Sequence, residues 1–270
     1  MMETKQYIYE IVHINDLDFD HYLSLIKKGY CIFDVKDEVV SYLCSEFDYY
    51  YQKYKDYDAL YEYACLLKQK DKDNEESAWK YFQAMFHLAQ HKYVKAYYSL
   101  GMCFYNGYGV IKDIKQAYEN FVKGEIEGYV PATNALAALY YKGEYVEQDK
   151  EKSFIMMKSC ADQGYAIAMH NVALSYLHGE GVNKDINECL RYYKLAASQD
   201  FAKSHYHLGY MYLYGDEVPQ DYDEGFYHLY KAALLGNEDA RDLIKQIGNQ
   251  SQLDYKNKYW YQIDEDIYRD

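Results

Sequence analysis

The histidines whose spacing comes nearest to a metal site are His87 and His91, in the stretch HLAQH. Side chains four residues apart share one face of a helix, so these two imidazoles could bind one zinc ion. The stretch lacks the glutamate of the HExxH zinc motif, and the sequence indicates no third ligand. His205 and His207 are two residues apart and point to different helix faces. We therefore predict no bound metal and interpret His87 and His91 as a surface pair.

Two glycines one residue apart, Gly107 and Gly109, resemble a loop that cradles a phosphate. A dinucleotide-binding loop needs a third glycine three residues after the second, but position 112 is lysine and no strand is predicted before the loop. The same pattern returns every 36 residues, in YKGEYVEQD at 141–149, LHGEGVNKD at 177–185 and LYGDEVPQD at 213–221. A loop repeated at a fixed period indicates stacked structural units rather than a phosphate site.

The sequence carries no other catalytic signature. It contains no GxSxG, HExxH or P-loop motif and no Cys/His nucleophile signature. Pairs of carboxylates are uninformative in so acidic a chain, because a solvated acidic surface is the ordinary explanation. We therefore predict that the protein is not an enzyme and that it uses no cofactor.

The composition restricts the partners and the compartment. A net charge of −14 opposes binding to nucleic acid or to an anionic membrane. No run of 18 apolar residues occurs, and the first residues lack the ordered regions of a signal peptide. The six cysteines show no CxxC pair and no fixed spacing, which is typical of reduced, mostly buried thiols. We expect a cytoplasmic protein.

Blocks of 36 residues align four copies without a gap. The blocks begin at Tyr93, Tyr129, Tyr165 and Phe201. Each opens with apolar residues spaced by four, such as Ala96, Leu100 and Phe104, which predicts a helix with one buried stripe. Beside the stripe every block carries a small residue, and because glycine costs ~1 kcal/mol inside a helix, a closely packed partner helix is implied. These small residues are Gly101, Ala137, Ala173 and Gly209.

The partner helix of each block follows the glycine loop. Its predicted N-caps, whose carboxylates accept from the first backbone N–H groups, are Asp113, Asp149, Asp185 and Asp221. Three of these aspartates are followed three places later by a residue that predicts a reciprocal capping box, namely Gln116, Glu188 and Glu224. The helix is expected to end in the left-handed conformation at Gly128, Gly164, Asp200 and Gly236. Aspartate tolerates that conformation less well than glycine.

The combined pattern, A…L-G/A…Y…G-x-G-V…D…A…K-A-A…G, resembles the Sel1-like repeat, a relative of the tetratricopeptide repeat. The resemblance covers four copies, at 93–128, 129–164, 165–200 and 201–236. It implies an all-α fold, a right-handed superhelix (α-solenoid) of stacked 36-residue helix-loop-helix units. Tyr145 and Glu217 stand where the second loop glycine is expected, so we expect those two loops to turn differently.

The flanks extend this organisation. Residues 57–92 fit a degenerate copy whose second helix carries Trp79 and Met85. Residues 1–56 are predicted to form an N-terminal cap or an eroded repeat, and the stretch 6–14 alternates enough to be a short strand. Residues 237–270 are predicted to form a C-terminal capping helix followed by an acidic, aromatic tail.

The resemblance also implies that the first helices of successive units line a concave face. None of the residues that it assigns to this face is Asp or Glu, although the chain has 43 acidic residues. The candidate protein-binding residues are Lys95, Tyr98, Met102, Asn134, Lys142, His170, Asn171, Lys203, Tyr206, His207 and Tyr210. Tyrosines and asparagines supply contact area and hydrogen bonds, and lysines and histidines supply positive potential. The alternative is that these places exclude charge because they pack against a neighbouring helix.

The sequence therefore predicts a non-enzymatic adaptor or scaffold. We expect a monomer that binds a partner protein or an extended peptide, acidic in character, on the concave face, with no nucleic acid and no membrane as partner. Two other interpretations stay open. One is an enzyme whose active site lies in residues 1–56, and the other is a structural protein that self-associates.

Overall fold

The computed structural model describes residue 48 and residues 51–70 and 74–249. Within these ranges all regular secondary structure is α-helical, which confirms the all-α fold class. The chain divides into two compact units, 1–136 and 137–270. The strand considered at 6–14 and the acidic tail after 249 lie outside the described residues.

Consecutive helices pack on one another within each unit, as in an α-solenoid. Unit 1 contains α1 (Tyr57–Lys70), α2 (Glu75–Gln90), α3 (Val94–Asn106), α4 (Ile114–Ile126) and the first part of α5 (Val130–Lys142). Unit 2 contains the rest of α5, then α6 (Lys150–Asp162), α7 (Ala166–His178), α8 (Ile186–Ala197), α9 (Ala202–Tyr214), α10 (Tyr222–Leu234) and α11 (Glu238–Asn249). Odd-numbered helices are the first helices of their copies, and even-numbered helices are the second.

The two helices of a copy approach closely at the small residues that the sequence singled out. A Cβ atom placed on Gly101 of α3 would lie 2.4 Å from Cε1 of Phe121 on α4. On Gly209 of α9, a Cβ atom would lie 2.8 Å from Cγ of Leu229 on α10. Since no larger side chain fits in these gaps, the predicted close packing is confirmed.

Each second helix begins at its predicted aspartate. The carboxylate of Asp113 accepts a hydrogen bond from the backbone N–H of Gln116 at 3.0 Å. The equivalent aspartates cap their helices in the same way, at Asp149, Asp185 and Asp221. These contacts satisfy backbone donors that have no partner inside the helix, so the predicted N-caps are confirmed.

The predicted capping boxes are wrong in their reciprocal half. In a capping box the third residue would accept from the backbone N–H of the cap. Here the N–H of Asp113 donates instead to the carbonyl of Phe104 at 2.9 Å, and the caps at 149, 185 and 221 repeat this contact. The loop folds back on the first helix, so the donor is already satisfied. Glu188 is left to pair with Arg191, whose Nη2 lies 2.7 Å from the carboxylate.

The loops turn alike in all four copies, which corrects the expectation for Tyr145 and Glu217. Gly107 ends α3 with φ 71°, and Gly109 follows with φ 67°. At the place of Gly109, Tyr145 adopts φ 66° and Glu217 adopts φ 62°. A side chain in this left-handed region costs roughly 1 kcal/mol. The packing of the copies therefore imposes the turn even where the local sequence opposes it.

Two of the loop glycines, Gly109 and Gly181, pack against the second helix of the copy before their own. A Cβ atom on Gly109 would lie 2.1 Å from the carbonyl oxygen of Ala78 on α2. On Gly181, in unit 2, the same atom would lie 2.1 Å from the carbonyl oxygen of Lys150 on α6. The repeated glycines are thus explained by backbone-to-backbone contact and not by a phosphate.

The same conformation recurs where the second helices end. Gly128, Gly164 and Gly236 have positive φ angles, and Asp200 adopts φ 55° in their place, as predicted. Lys92 has φ 59° one period before Gly128. The degenerate copy that ends at residue 92 therefore keeps the terminal turn of the regular ones.

Replacing Gly109 by alanine tests the loop contact, and Gly128→Ala is the matched control. Both changes force a side chain into the left-handed region at roughly 1 kcal/mol. Only Gly109→Ala also presses a methyl group onto a carbonyl oxygen, since nothing lies within 4 Å of a Cβ atom on Gly128. We expect Gly109→Ala to lower the free energy of unfolding by about 1–3 kcal/mol more than the control. Equal losses in thermal or urea unfolding would contradict the contact.

Candidate protein-binding surface

The histidine pair with metal-like spacing lies at the end of α2. His87 is half-buried, and its Nε2 is 2.9 Å from the hydroxyl of Tyr51. His91 is exposed, and its Nδ1 lies 2.9 Å from the carbonyl oxygen of His87, to which it donates. In the described ranges, no group of three or more His, Cys, Asp or Glu side chains is placed to hold a metal ion. Only one of the two histidines is therefore a surface residue.

The candidate residues of unit 1 are all half-buried. Lys95, Tyr98 and Met102 lie on α3, and Asn134 lies on α5. The ring of Tyr98 packs 6.1 Å from that of Phe121, and burial raises the pKa of its hydroxyl. The side-chain oxygen of Asn134 is buried and accepts no hydrogen bond from the described part of the chain. These side chains serve packing within the unit as well as exposing part of their surface.

Acidic residues appear where the degenerate copy begins. Glu62 on α1 occupies the place that Tyr98 holds one period later, and burial raises the pKa of its carboxyl to about 7. Nearby, the hydroxyl of Tyr93 donates to Asp58 at 2.5 Å. The absence of Asp and Glu from the concave-face places therefore holds for the four regular copies. The sequences of those copies did not indicate the acidic residues Glu62 and Asp58 of the degenerate copy.

Three tyrosines form a row along α9 of unit 2, and we call Tyr206, Tyr210 and Tyr214 the tyrosine ladder. Their ring centroids are separated by 6.5 Å and 4.7 Å. Tyr210 is 41% exposed and Tyr214 is 52% exposed, whereas Tyr206 packs partly on the core between α10 and α11. Tyr214 is one of the residues that the resemblance assigns to the concave face, although it was not among the candidate binding residues.

The charges on the first helices of unit 2 are mixed. Lys203 is exposed on α9, the helix of the ladder, and Lys142 is exposed at the end of α5. The ammonium of Lys142 lies 3.7 Å from the carboxylate of Glu144. Burial raises the pKa of Tyr206, and the carboxylate of Asp239 on α11 adds to that effect. The positive potential of the first-helix face of unit 2 is therefore weaker than the absence of Asp and Glu from the concave-face places predicts.

His170 does not belong to the exposed surface, which corrects its prediction as a binding residue. Its side chain is 6% exposed, and its Nδ1 lies 2.9 Å from the hydroxyl of Ser204. Burial lowers its pKa to about 3, so it supplies no positive charge near neutral pH. His207 is half-buried and stacks on Tyr193 with ring centroids 5.4 Å apart, and burial lowers its pKa. Asn171, which follows His170, is half-buried.

Two buried histidines join α9 to α10. The Nδ1 atoms of His205 and His228 are 2.8 Å apart, so one imidazole donates to the other. This geometry requires that the accepting ring be neutral. Burial lowers the pKa of His228 to about 3, and Tyr212 stacks on its ring. The sequence placed His205 and His207 on different faces, which is confirmed, but it could not pair His205 with a residue 23 positions away.

The cysteines of the described ranges form no disulfide. Cys103, Cys160 and Cys189 are buried, and Cys65 is half-buried. Burial raises the pKa of the Cys103 and Cys189 thiols to about 12, so both are protonated and unreactive. The predicted buried thiols are confirmed at these positions, while Cys31 and Cys44 lie outside the described residues.

Stacked helix-loop-helix units with left-handed loop turns define a tetratricopeptide-like α-solenoid protein. The model of the Sel1 repeat family matches residues 94–124, 130–165, 166–201 and 202–237, and the chain belongs to this family. Sel1 repeat proteins generally mediate protein–protein interactions. Among the described residues, no helix is both long and apolar enough to span a membrane.

Several solved structures share the fold at low sequence identity. A Sel1 repeat protein from Oxalobacter formigenes has a TM-score of 0.67 at 22% identity, covering 85% of this chain and 98% of its own. The immunity protein Pa5087 from Pseudomonas aeruginosa has a TM-score of 0.56 at 20% identity, covering 71% and 70%. The protective antigen c5321 from uropathogenic Escherichia coli has a TM-score of 0.54 at 18% identity, covering 91% and 56%. No curated protein sequence matches the chain significantly.

The buried histidines predict that acid destabilises the fold. The pKa values of His170 and His228 are about 3 in the folded protein, against about 6.5 for an unperturbed histidine. Below about pH 6.5 the unfolded chain therefore binds more protons. We expect the free energy of unfolding to fall as the pH decreases toward about 3, by up to about 1.4 kcal/mol per pH unit for each histidine.

Urea unfolding at pH values from about 7 down to about 4.5 measures this slope. His228→Gln should be less stable at neutral pH but should show a shallower slope, because one titrating group is removed. The matched control is the same substitution at the exposed His178, and the slope of His228→Gln is compared with that of His178→Gln. A His228→Gln variant with the slope of the unsubstituted protein would rule out this origin of acid sensitivity.

Proposed function

We propose that the protein is a non-enzymatic adaptor that binds an acidic, extended segment of a partner protein on the first-helix face of unit 2. The observation that carries this proposal is the tyrosine ladder on α9. Tyr210 and Tyr214 keep large aromatic surfaces in solvent, although neither is needed to fill the core. Aromatic rings of this kind are enriched at protein interfaces.

The ladder suits an extended peptide because of its geometry. Consecutive rings 4.7–6.5 Å apart present a continuous apolar strip with hydroxyl groups along it. Tyrosine loses little conformational entropy on binding, and its hydroxyl can hydrogen-bond to a peptide backbone. Such rings serve as anchors, while their neighbours exclude water.

The preference for an acidic segment rests on Lys142 and Lys203. Both ammonium groups are exposed on first helices of unit 2, in a chain of net charge −14. Glu144 and Asp239 weaken this preference at the edges of the face, so charge steers the partner more than it holds it. Binding should weaken as salt rises, because exposed charges are screened over ~8 Å at physiological ionic strength.

The proposal also includes a cellular compartment and an oligomeric state. The buried thiols of Cys103, Cys160 and Cys189, which form no disulfide, support a reducing compartment such as the cytoplasm. The negative net charge supports a monomer, because two copies repel each other. An active site in residues 1–56 and a self-associating structural role stay as the alternatives.

Site-specific photo-cross-linking in cells tests the proposal directly. A benzophenone amino acid at position 210 should cross-link to a partner peptide rich in Asp or Glu, identified by mass spectrometry. The control position is Ile155 on the second helix α6, which is 60% exposed. Equal capture of the same partner from both positions would contradict a binding face on α9.

Once the partner is known, two substitutions on this face should weaken its binding. We expect Tyr210→Ala to raise the Kd roughly 5- to 30-fold, as for a central aromatic anchor, and Lys142→Glu to raise it roughly 3- to 10-fold. Tyr210 is a better choice than Tyr206, whose partial burial on the core would also lower the melting temperature.

The matched control for charge is Lys158→Glu, on the second helix α6. Lys158 is half-buried, and its ammonium pairs with Asp162 at 2.9 Å. Isothermal titration calorimetry should find the affinity of this variant unchanged. If Lys158→Glu abolishes binding and the first-helix changes do not, the interface lies on the second helices instead.

A further inference from the structure

A second aromatic cluster lies on the second helix of the degenerate copy, in unit 1. Trp79 is 49% exposed and Phe86 is 46% exposed, and both project from α2. Phe82 lies between them, with its ring centroid 5.7 Å from that of Trp79 and 6.1 Å from that of Phe86. We call these three residues the outer aromatic patch. Its two ends leave large apolar surfaces in contact with solvent.

The repeat register shows that stacking does not require this patch. One to four periods after Trp79, the equivalent places hold Lys115, Glu151, Asn187 and Asp223. All four of these side chains are polar and exposed. After Phe86, the equivalent places hold Val122, Lys158, Lys194 and Tyr230. The fold thus accepts lysine at both places, and the two large aromatic residues need another explanation.

A groove adjoins the patch. It has a volume of about 430 Å³ and lies between the N-terminal turn of α2 and the loop from Gly107 to Val110. Trp79 and Tyr108 line its sides, and the contact of Gly109 with Ala78 joins its two walls. A groove of this size and lining accepts one or two bulky apolar side chains.

The charged side chains beside the groove indicate the charge of the segment that binds there. Glu75 lines the groove, whereas Glu76 of the same helical turn pairs with Lys80 at 2.7 Å and the ammonium of Lys68 lies 5.1 Å from the ring centroid of Tyr108. The carboxylate of Glu75, together with the net charge of −14, favours a cationic segment. The same net charge opposes a second copy of this chain as the occupant.

We propose that the outer aromatic patch and its groove form a docking surface for a segment of a partner protein. This segment carries bulky apolar side chains flanked by Lys or Arg. Its apolar side chains fill the groove and cover Trp79 and Phe86, while its cations face Glu75. The surface is independent of the tyrosine ladder and differs from it in the charge of its partner.

Fluorescence of Trp79 tests whether the patch is open. The chain has two tryptophans, so Trp260→Phe leaves Trp79 as the single indole. We expect emission typical of water-exposed indole and strong quenching by acrylamide. Blue-shifted emission that is protected from acrylamide would mean that another segment of this chain covers the patch, and it would overturn the proposal.

Panning of a random phage-displayed peptide library on the full-length chain tests the partner chemistry. Enriched peptides should combine Trp, Phe or Leu with flanking Lys or Arg, and a synthetic copy should shift the Trp79 emission. The double substitution Trp79→Lys with Phe86→Lys installs a residue type that later copies hold at these places. The double substitution should weaken binding of the peptide at least about tenfold, measured by fluorescence polarisation, and should leave the melting temperature unchanged.

The matched control is Tyr214→Lys, which removes an equally exposed aromatic residue from unit 2. It should leave binding of the peptide unchanged. The proposal would be overturned if acidic peptides were enriched, or if the chain enriched no peptide relative to the double variant. It would also be overturned if Tyr214→Lys weakened binding of the peptide as much as the double substitution does. If sedimentation showed that the unsubstituted chain is a dimer and the double variant is a monomer, the occupant would be a second copy of this chain. That result would overturn the proposal as well.

Discussion

The close approach of backbone to backbone at the glycine loops is the constraint on which the stacking depends. Gly109 and Gly181 bring a loop against a carbonyl oxygen of the preceding second helix, at a distance that no side chain permits. The left-handed turn at this place persists where Tyr145 and Glu217 replace glycine. Burial between copies must therefore outweigh a local cost of roughly 1 kcal/mol at each of these residues.

Burial also decides which polar residues of the first helices are available to a partner. His170 and Tyr210 both come from places that a repeat alignment assigns to the inner face, yet one is a neutral core residue and the other is exposed. Helices that pack on both sides conceal part of their inner face, so a place in the repeat does not fix exposure. The exposed side chains on the first helices of unit 2 include the aromatic Tyr210 and Tyr214 and the lysines Lys142 and Lys203.

Comparison between copies is the most informative way to find function in this chain. A residue that recurs at one place, such as the capping aspartates, satisfies the needs of the fold. A residue that departs from its place without a structural reason, as Trp79 does, points to a contact outside the unit. By this criterion the degenerate copy is functionally more informative than the regular ones, because stacking has constrained it less.

The sequence by itself determined the fold class, the period, the close contacts at Gly101 and Gly209 and the aspartate N-caps. All of these follow from local rules that repeat every 36 residues, in which helix spacing, caps and small residues agree. It also indicated a chemistry of tyrosine and lysine for the inner face.

Only the tertiary structure decided which of those side chains reach solvent, because exposure depends on how neighbouring helices pack. It buried His170, paired His205 with His228 and placed Glu62 and Asp239 beside the acid-free stretch. It also kept the loop turn at Tyr145 against local preference. Each of these depends on contacts between residues distant in sequence, which local spacing does not encode.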